Sequence, residues 1–340
     1  MPSHNKKRAL SLVTELMAIE GPSGQETEVA TYVQEKLLAA GASQSAIRID
    51  SAYRRTPIDG QIGNLFLRFN GTSRGPRRLF SAHMDTVPIC VGSKPVKHKR
   101  IVRSADPQTG LGADDRAGVG AILTAALEIL ERKLPHPPLT FCWFIQEEIG
   151  LQGSRVVKKS VLGKPRLAFN WDGGACEKLT IGATGGYRMQ ITVRGVASHA
   201  GGAPEYGISA IAIASIAIAD LQKRGWHGLV KKGRHTGTSN VGVFRGGLAT
   251  NVVTDRVELR AEARSHDGPF RKRILEEIEK AFDCAAKTVK NVEGKTGSVE
   301  FKSRLDYESF LLEPNEPCVL AAADAIRAVG REPVHAVANG

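Results

Sequence analysis

Leu79-Phe-Ser-Ala-His-Met-Asp85 is an apolar run that ends abruptly in a histidine and an acid. The same shape recurs twice. Leu139–Ile145 (LTFCWFI) runs into Gln146-Glu147-Glu148, and Leu167–Trp171 (LAFNW) runs into Asp172. Short continuous apolar runs bounded by polar residues read as strands buried on both faces. Between the first two lies GADDRAG (residues 112–118), whose Asp114-Asp115 pair opens a helical stretch over 116–132. Open α/β sheets gather their ligands at the carboxyl ends of the strands. A histidine and several carboxylates converging there make a nest of negative charge. A divalent cation, or a pair of them, is the simplest species that stabilises it.

Outward from these strands the pattern continues. Residues 8–40 read as two helical pieces broken at Gly21-Pro22, the second with Val29, Val33 and Leu37 at four-residue spacing and Gly41 as its C-cap. Strands are expected near Ile47–Ile49 and Leu65–Phe69. This alternation predicts a three-layer α/β domain with a mixed sheet. After Gly182-Ala-Thr-Gly-Gly186 the pattern changes. Tyr187, Met189, Ile191 and Val193 alternate with Arg188, Gln190, Thr192 and Arg194, the signature of a half-buried strand. An apolar helix follows at 208–221, then strands near 238–244 and 256–264. Asp267 and Pro269 open a helix with Phe270, Ile274, Ile278 and Phe282 on one side, and a last strand lies near Val299–Phe301. The order β-α-β-β-α-β is that of a ferredoxin-like split unit. The expected organisation is α/β over 1–182, an inserted α+β domain over 183–303, and a return to the first domain over 304–340 with a helix at 317–329.

Bulk properties exclude several classes. With 41% hydrophobic and 24% charged residues, the 340-residue chain has the composition of a soluble globular protein. Ile208–Leu221 is shorter than the roughly 20 residues a membrane-spanning helix needs, and MPSHNKKRALSL holds no signal-peptide apolar run. No membrane partner is therefore expected. The five cysteines (Cys90, Cys142, Cys176, Cys284, Cys318) are odd in number and mutually distant, which argues against a disulfide framework or a cysteine zinc site. A cytoplasmic location is the expectation. The net charge of +12 is spread over scattered clusters with no nucleic-acid motif, so it reads as a solvated surface rather than a nucleic-acid footprint.

Several residues have both a chemical and a plain structural reading. His83 and Asp85, two apart in extended chain, point the same way, so Asp85 can accept from one ring nitrogen of His83 and leave the other for a metal. Asp114 and Asp115 can cap the helix they precede, or Asp114 can bridge two ions. The side chains of Glu147 and Glu148 diverge on an extended backbone, so one can bind metal while the other acts as general base. Asp172 before Gly173-Gly174 can be a turn residue or a ligand. His199, in ASHAGGAPEYG, can be an ordinary loop histidine or a catalytic one.

HMDTVP, GLGADDRAG, QEEIGLQGS, NWDGG and SHAGGAPEYGISAI resemble the motifs of the di-zinc exopeptidases that include peptidase T, glutamate carboxypeptidase and aminoacylase. The resemblance runs from about residue 8 to the last residue and implies a catalytic domain interrupted by an inserted lid and dimerisation domain. It implies that His83 and Asp172 hold one zinc, that Glu148 holds the other, and that Asp114 bridges them. Glu147 would be the general base, Asp85 the partner that orients His83, and His199 the lid residue that stabilises the tetrahedral oxyanion. Asn251 and Arg264, in TNVVTDRVELRAEARSHD, look like the residues that hold the carboxylate end of the substrate. Within the superfamily an aspartate at the place of Asp172 goes with aminopeptidases, so the resemblance is closest to peptidase T. The implied activity is release of N-terminal residues from short peptides by metal-activated water, with a homodimer formed through the lid domain. The alternatives are a carboxypeptidase, an N-acyl-amino-acid deacylase, or a non-catalytic member. The last ligand of the family is a histidine beyond a C-terminal glycine-rich segment, whereas this chain stops at HAVANG. His335 precedes that segment and does not match the ligand, so the sequence predicts that one zinc is held better than two.

Overall fold

Period-two packing builds the first sheet. Leu65, Leu67, Phe141 and Trp143 face one buried cluster, while Phe66 and Cys142, between them in sequence, face another. The computed structural model describes residues 6–99 and 101–338. Residues 1–5 of the MPSHNKKRALSL segment, Arg100 and the final Asn339-Gly340 lie outside them. The chain divides into two compact units. One extends to Cys176 and takes back Leu320–Gly330; the other comprises Glu177–Val319 and the chain from Arg331 onward.

The first unit contains α1 (Lys6–Ala18), α2 (Thr27–Ala39), β1 (Ile47–Ile49), β2 (Leu65–Phe69), β3 (Arg78–His83), a hairpin of β4 (Pro95–His98) and β5 (Ile101–Ser104), α3 (Ala113–Arg132), β6 (Leu139–Phe144), the single turns α4 (Gln152–Arg155) and α5 (Lys159–Leu162), and β7 (Leu167–Asn170). Its sheet has the order β1-β2-β6-β3-β7. Strands β6, β3 and β7 are parallel neighbours, and β1 and β2 pair antiparallel, so the sheet is mixed. Leu16, Val33, Leu37, Ile122 and Leu127 from α1 to α3 cover one face. Phe66, Leu79, Cys142 and Val161 fill the other. Three parallel strands with helices on both faces therefore end side by side, which places their carboxyl ends together.

The second unit follows with β8 (Lys178–Ala183), β9 (Gly185–Arg194), α6 (Ala210–Lys223), β10 (Gly228–Lys232), β11 (His235–Gly246), β12 (Arg256–Ser265), α7 (Gly268–Thr288), β13 (Ser298–Tyr307), β14 (Phe310–Leu311) and β15 (Val334–Ala338), while α8 (Pro317–Ala328), before the last strand, falls mostly in the first unit. Its main sheet has the order β10-β11-β12-β9-β13, and all four pairings are antiparallel. The inward face of β9 and β12 meets Ile213, Leu221, Ile274 and Phe282 of α6 and α7. Asp267 caps α7 by accepting from the Phe270 N–H at 3.1 Å, with Pro269 in the first turn.

The expected split unit is thus present with one strand more than foreseen. β10 joins β11 through the two-residue turn Gly233-Arg234, where Gly233 takes φ 60°. In Gly-Leu-Val-Lys-Lys only Val230 is buried, so no alternation announces a strand. The β4–β5 hairpin was silent for the same reason, since Val96 and Ile101 are both exposed. Lys178–Ala183 pairs with Phe310–Leu311 and Val334–Ala338 in a separate three-stranded sheet, which sequence reading had not resolved.

Candidate metal centre and active site

β3 delivers His83 to the carboxyl edge of the sheet, where it is 2% exposed. Its Nε2 lies 3.1 Å from Asp114 Oδ1 and 3.7 Å from Glu147 Oε2. Ligand atoms of His83, Asp114 and Asp172 all lie within 4.8 Å of one another. A cavity beside them is lined by His83, Phe144, Glu147, Leu151, Asn170 and Asp172. Residues separated by almost ninety positions are gathered because β6, β3 and β7 run parallel and stop at the same level.

The Asp114-Asp115 pair divides the two roles that the sequence left open. Asp115 is buried; its Oδ1 accepts from Gly118 N–H at 3.1 Å, a helix cap, and its Oδ2 accepts from His83 N–H at 3.1 Å. Asp114 is exposed and turns to the imidazole. Both lie outside helical φ/ψ although they sit at the start of α3, which separates the two side chains.

His83 Nδ1 lies 2.9 Å from the main-chain carbonyl of Asp85 and 3.5 Å from its carboxylate Oδ1. The anchor of the ring is thus chiefly the carbonyl, where sequence reading had expected the carboxylate. The buried Asp85 carboxylate has other work. It accepts from Ser23 Oγ at 2.6 Å, from Glu147 N–H at 2.8 Å and from Glu148 N–H at 3.1 Å. It therefore ties β3 to the turn that bears both glutamates. Ser23 and Asn170, which accepts from Ser81 at 2.7 Å, escaped sequence analysis, and Asp115 entered it only as a helix cap. Ser23 is a common polar loop residue and Asn170 a polar residue at the end of β7, so neither stands out by type.

The electrostatics match a site built for a cation. Burial, reinforced by Asp172, Asp85 and Glu148, pushes Glu147 up to about 7, although His83 pulls the other way. Burial also raises Glu148 and Asp172, each with Asp114 adding repulsion. Asp115 rises to about 8, mainly by burial. Burial alone would lower His83, but hydrogen bonds to Asp114 and Asp85 outweigh it and lift the imidazole to about 11. The surrounding carboxylates thus favour positive charge at the imidazole. An imidazole nitrogen and carboxylate oxygens at this spacing are the donor set that zinc and other divalent ions accept. Metal binding would displace the imidazole proton.

These shifts give a first prediction. A carboxyl group with a raised folded pKa is charged in the unfolded chain before it is charged in the fold. Glu147 and Asp115 therefore cost stability as pH rises from their ordinary 4.5 and 3.8 to about 7 and about 8. His83 contributes stability in full below 6.5 and loses it as pH rises toward about 11. Asp85 and Asp114, held below the ordinary 3.8, lose their contribution only in stronger acid. With chelator present, the melting temperature should be several degrees higher near pH ~5.5 than near pH ~8. Divalent metal should raise it most at the alkaline end. A thermal melt that improves from pH ~5.5 to ~8 without metal would contradict this account.

In the second unit, His199 and Val252 form an isolated antiparallel bridge, and Ala200 N–H donates to the Asn251 carbonyl at 2.9 Å, so the His199 and Asn251 loops adjoin. His199 Nδ1 accepts from the Gly202 and Gly201 N–H groups at 2.9 and 3.2 Å. An accepting Nδ1 leaves the proton on Nε2, the tautomer of a hydrogen-bond donor. Arg264 lies on β12 and contacts both carboxylate oxygens of Glu262 at 3.1 Å.

Comparison with known proteins gives the family. The pattern of the peptidase dimerisation domain matches residues 181–290, and that of peptidase family M28 matches residues 64–196. The uncharacterized protein YqjE of Bacillus subtilis is 30% identical over 328 residues, which cover 96% of this chain and 83% of that protein. A crystal structure of a tripeptidase from Staphylococcus aureus superposes with TM-score 0.86 at 30% identity, covering 99% of this chain and 85% of the other. Carboxypeptidase G2 of a Pseudomonas species is 29% identical over 60% of this chain, and the match spans only 48% of that enzyme. The fold and the site define a hydrolase of the peptidase class, an α/β domain interrupted by a dimerisation-type domain. The chain belongs to the M20 exopeptidase superfamily, the group of peptidase T and carboxypeptidase G2. No helix among the described residues is long and apolar enough to cross a membrane.

Proposed function

We propose that this protein is a zinc-dependent aminopeptidase that releases N-terminal residues from short peptides, tripeptides in particular. The observation behind this reading is the meeting of His83, Asp114 and Asp172 within 4.8 Å, with Glu147 Oε2 3.7 Å from the His83 imidazole. His83, Asp114 and Asp172 would hold one ion, with Asp114 shared toward a second at Glu148. Bound there, zinc would lower the pKa of water toward 7 and polarise the scissile carbonyl. Glu147, pushed up to about 7, is matched to moving a proton at neutral pH. Its carboxylate takes the proton of the attacking water and returns it to the departing amine. Asp85 orients His83 through the main chain and holds the Glu147 and Glu148 amides in place. His199 donates from Nε2 to the oxyanion as the carbonyl becomes tetrahedral. Asn251 and Arg264 hold the carboxylate end of the peptide. The first, α/β unit would be the catalytic domain and the unit built on β9 to β13 the lid, through which two copies pair.

The tripeptidase likeness and the aspartate at position 172 favour an aminopeptidase; the carboxypeptidase G2 relative supports a second reading as a carboxypeptidase or deacylase. Purified protein should be assayed with zinc, cobalt or manganese against free tripeptides, N-acetylated tripeptides, peptides ending in glutamate, and N-acyl amino acids. Free tripeptides should be cleaved at the first bond, with kcat/KM at least about 10-fold above every other class. Acetylation should abolish that cleavage. Release of the C-terminal residue, or preference for N-acyl amino acids, would establish the second reading instead. Failure to cleave any of them would leave a non-catalytic member.

A further inference from the structure

Four successive main-chain N–H groups at the end of β6 donate to buried side chains from distant parts of the chain. Ile145 donates to Asn64 Oδ1 at 3.1 Å, Gln146 to Glu26 Oε1 at 3.0 Å, and Glu147 and Glu148 to the two oxygens of Asp85. Asn64, Glu26 and Asp85 are each 0% exposed. Strand pairing has ended at Phe144, so nothing in the sheet fixes the backbone that bears Glu147 and Glu148. Those side-chain acceptors replace the ladder.

Glu26 has the least ordinary place among them. It precedes α2 at the N-cap, yet its side chain makes no cap to that helix. Its Oε1 accepts instead from Gly24 N–H at 2.8 Å and from Gln146 N–H. Gln146 is a residue with a Cβ at φ 52°, a left-handed conformation that persists only where neighbours hold it. Its own buried side-chain amide has no hydrogen-bond partner among the described residues. The main chain holds the turn: the Gln146 N–H donates to Glu26, and the Gln146 carbonyl accepts from Gln152 N–H at 2.9 Å. Arg116, fully buried, is attracted by both Asp85 and Glu26, which supplies the counter-charge for two acids beneath the site.

We propose that Glu26 is a positioning residue: by gripping the Gln146 amide it sets the left-handed turn that aims Glu147 at the reacting centre. The functional half of this inference rests on the peptidase reading above; the structural half does not. Hydrogen-bond acceptance, not charge, is the property required, so an isosteric amide at position 26 keeps the grip through its carbonyl oxygen.

The test compares Glu26→Ala with Glu26→Gln by amide hydrogen exchange and by tripeptide kinetics with added zinc. In Glu26→Ala, exchange at Gln146 should accelerate about 10- to 100-fold while β6 itself stays protected. Its kcat should fall about 10- to 100-fold with KM within about twofold, because the base is misplaced while substrate contacts remain. Glu26→Gln should stay within about threefold of the unaltered protein in both measurements. If Glu26→Ala does not fold, Glu26→Met, which fills the space without an acceptor, takes its place. Unchanged exchange at Gln146, equal damage from Gln and Ala, or accelerated exchange without loss of kcat would each overturn the proposal. If the unaltered protein cleaves no peptide, the peptidase reading fails, and the exchange comparison still decides whether Glu26 holds the turn.

Discussion

Replacing Glu147 by glutamine is expected to lower kcat on a tripeptide by about 10²- to 10⁴-fold while the protein keeps its metal and its fold. The substitution preserves shape and volume. Its main-chain N–H continues to donate to Asp85 at 2.8 Å, so the turn should not move. What disappears is a carboxylate whose pKa burial has raised to about 7, where uptake and return of a proton are both efficient. An amide can do neither. Metal content measured by elemental analysis should match the unaltered protein, because His83, Asp114 and Asp172 are untouched. Activity within about threefold of normal would remove Glu147 from the role of general base.

Asp85→Ala should do the larger damage to the fold itself. The Asp85 carboxylate is fully buried and takes three hydrogen bonds, from Ser23, Glu147 and Glu148. Burial would raise its pKa, but His83, Ser23 and the Glu147 amide hold it below the ordinary value, so it remains ionised. Alanine would leave two main-chain N–H groups without their acceptor and the buried Arg116 with only Glu26 of its two attracting acids. Each unsatisfied buried group costs about 1–3 kcal/mol. A loss of about 3 kcal/mol or more, or roughly 10 °C in melting temperature, is expected. Metal affinity should weaken about 10- to 100-fold, since both the ring of His83 and the Glu147-Glu148 turn lose their support. Asp85→Asn should lie between, because its amide nitrogen would face an N–H donor. A melting temperature within about 2 °C of normal for Asp85→Ala, measured with chelator, would show that the turn is held by other means.

The site was partly legible because it stands at the ends of apolar runs. Leu79–Ala82, Leu139–Ile145 and Leu167–Trp171 announce buried strands, and the polar residue after each run marks a strand end. The same signal fails where strands are half exposed, as in β10 and the β4–β5 hairpin. Residue types alone did not apportion the Asp114-Asp115 pair; the family resemblance gave Asp114 the bridging role. Its division into a capping acid and one turned to the His83 imidazole depends on φ/ψ at two residues that leave the helical region.

Hydrophobic periodicity is a local property, so the sequence alone determined the alternation of strands and helices, the change of pattern near 182–186 and the order of the acidic clusters. It also carried the family motifs. Tertiary structure alone decided which atoms meet. The pairing of His83 with Asp114, the carbonyl of Asp85 as anchor for the imidazole, and the grip of Glu26 on Gln146 join residues from 2 to 120 positions apart. Hydrogen bonds are short-ranged and directional, and nothing in the chemistry of a lone buried glutamate says which distant amide it will reach.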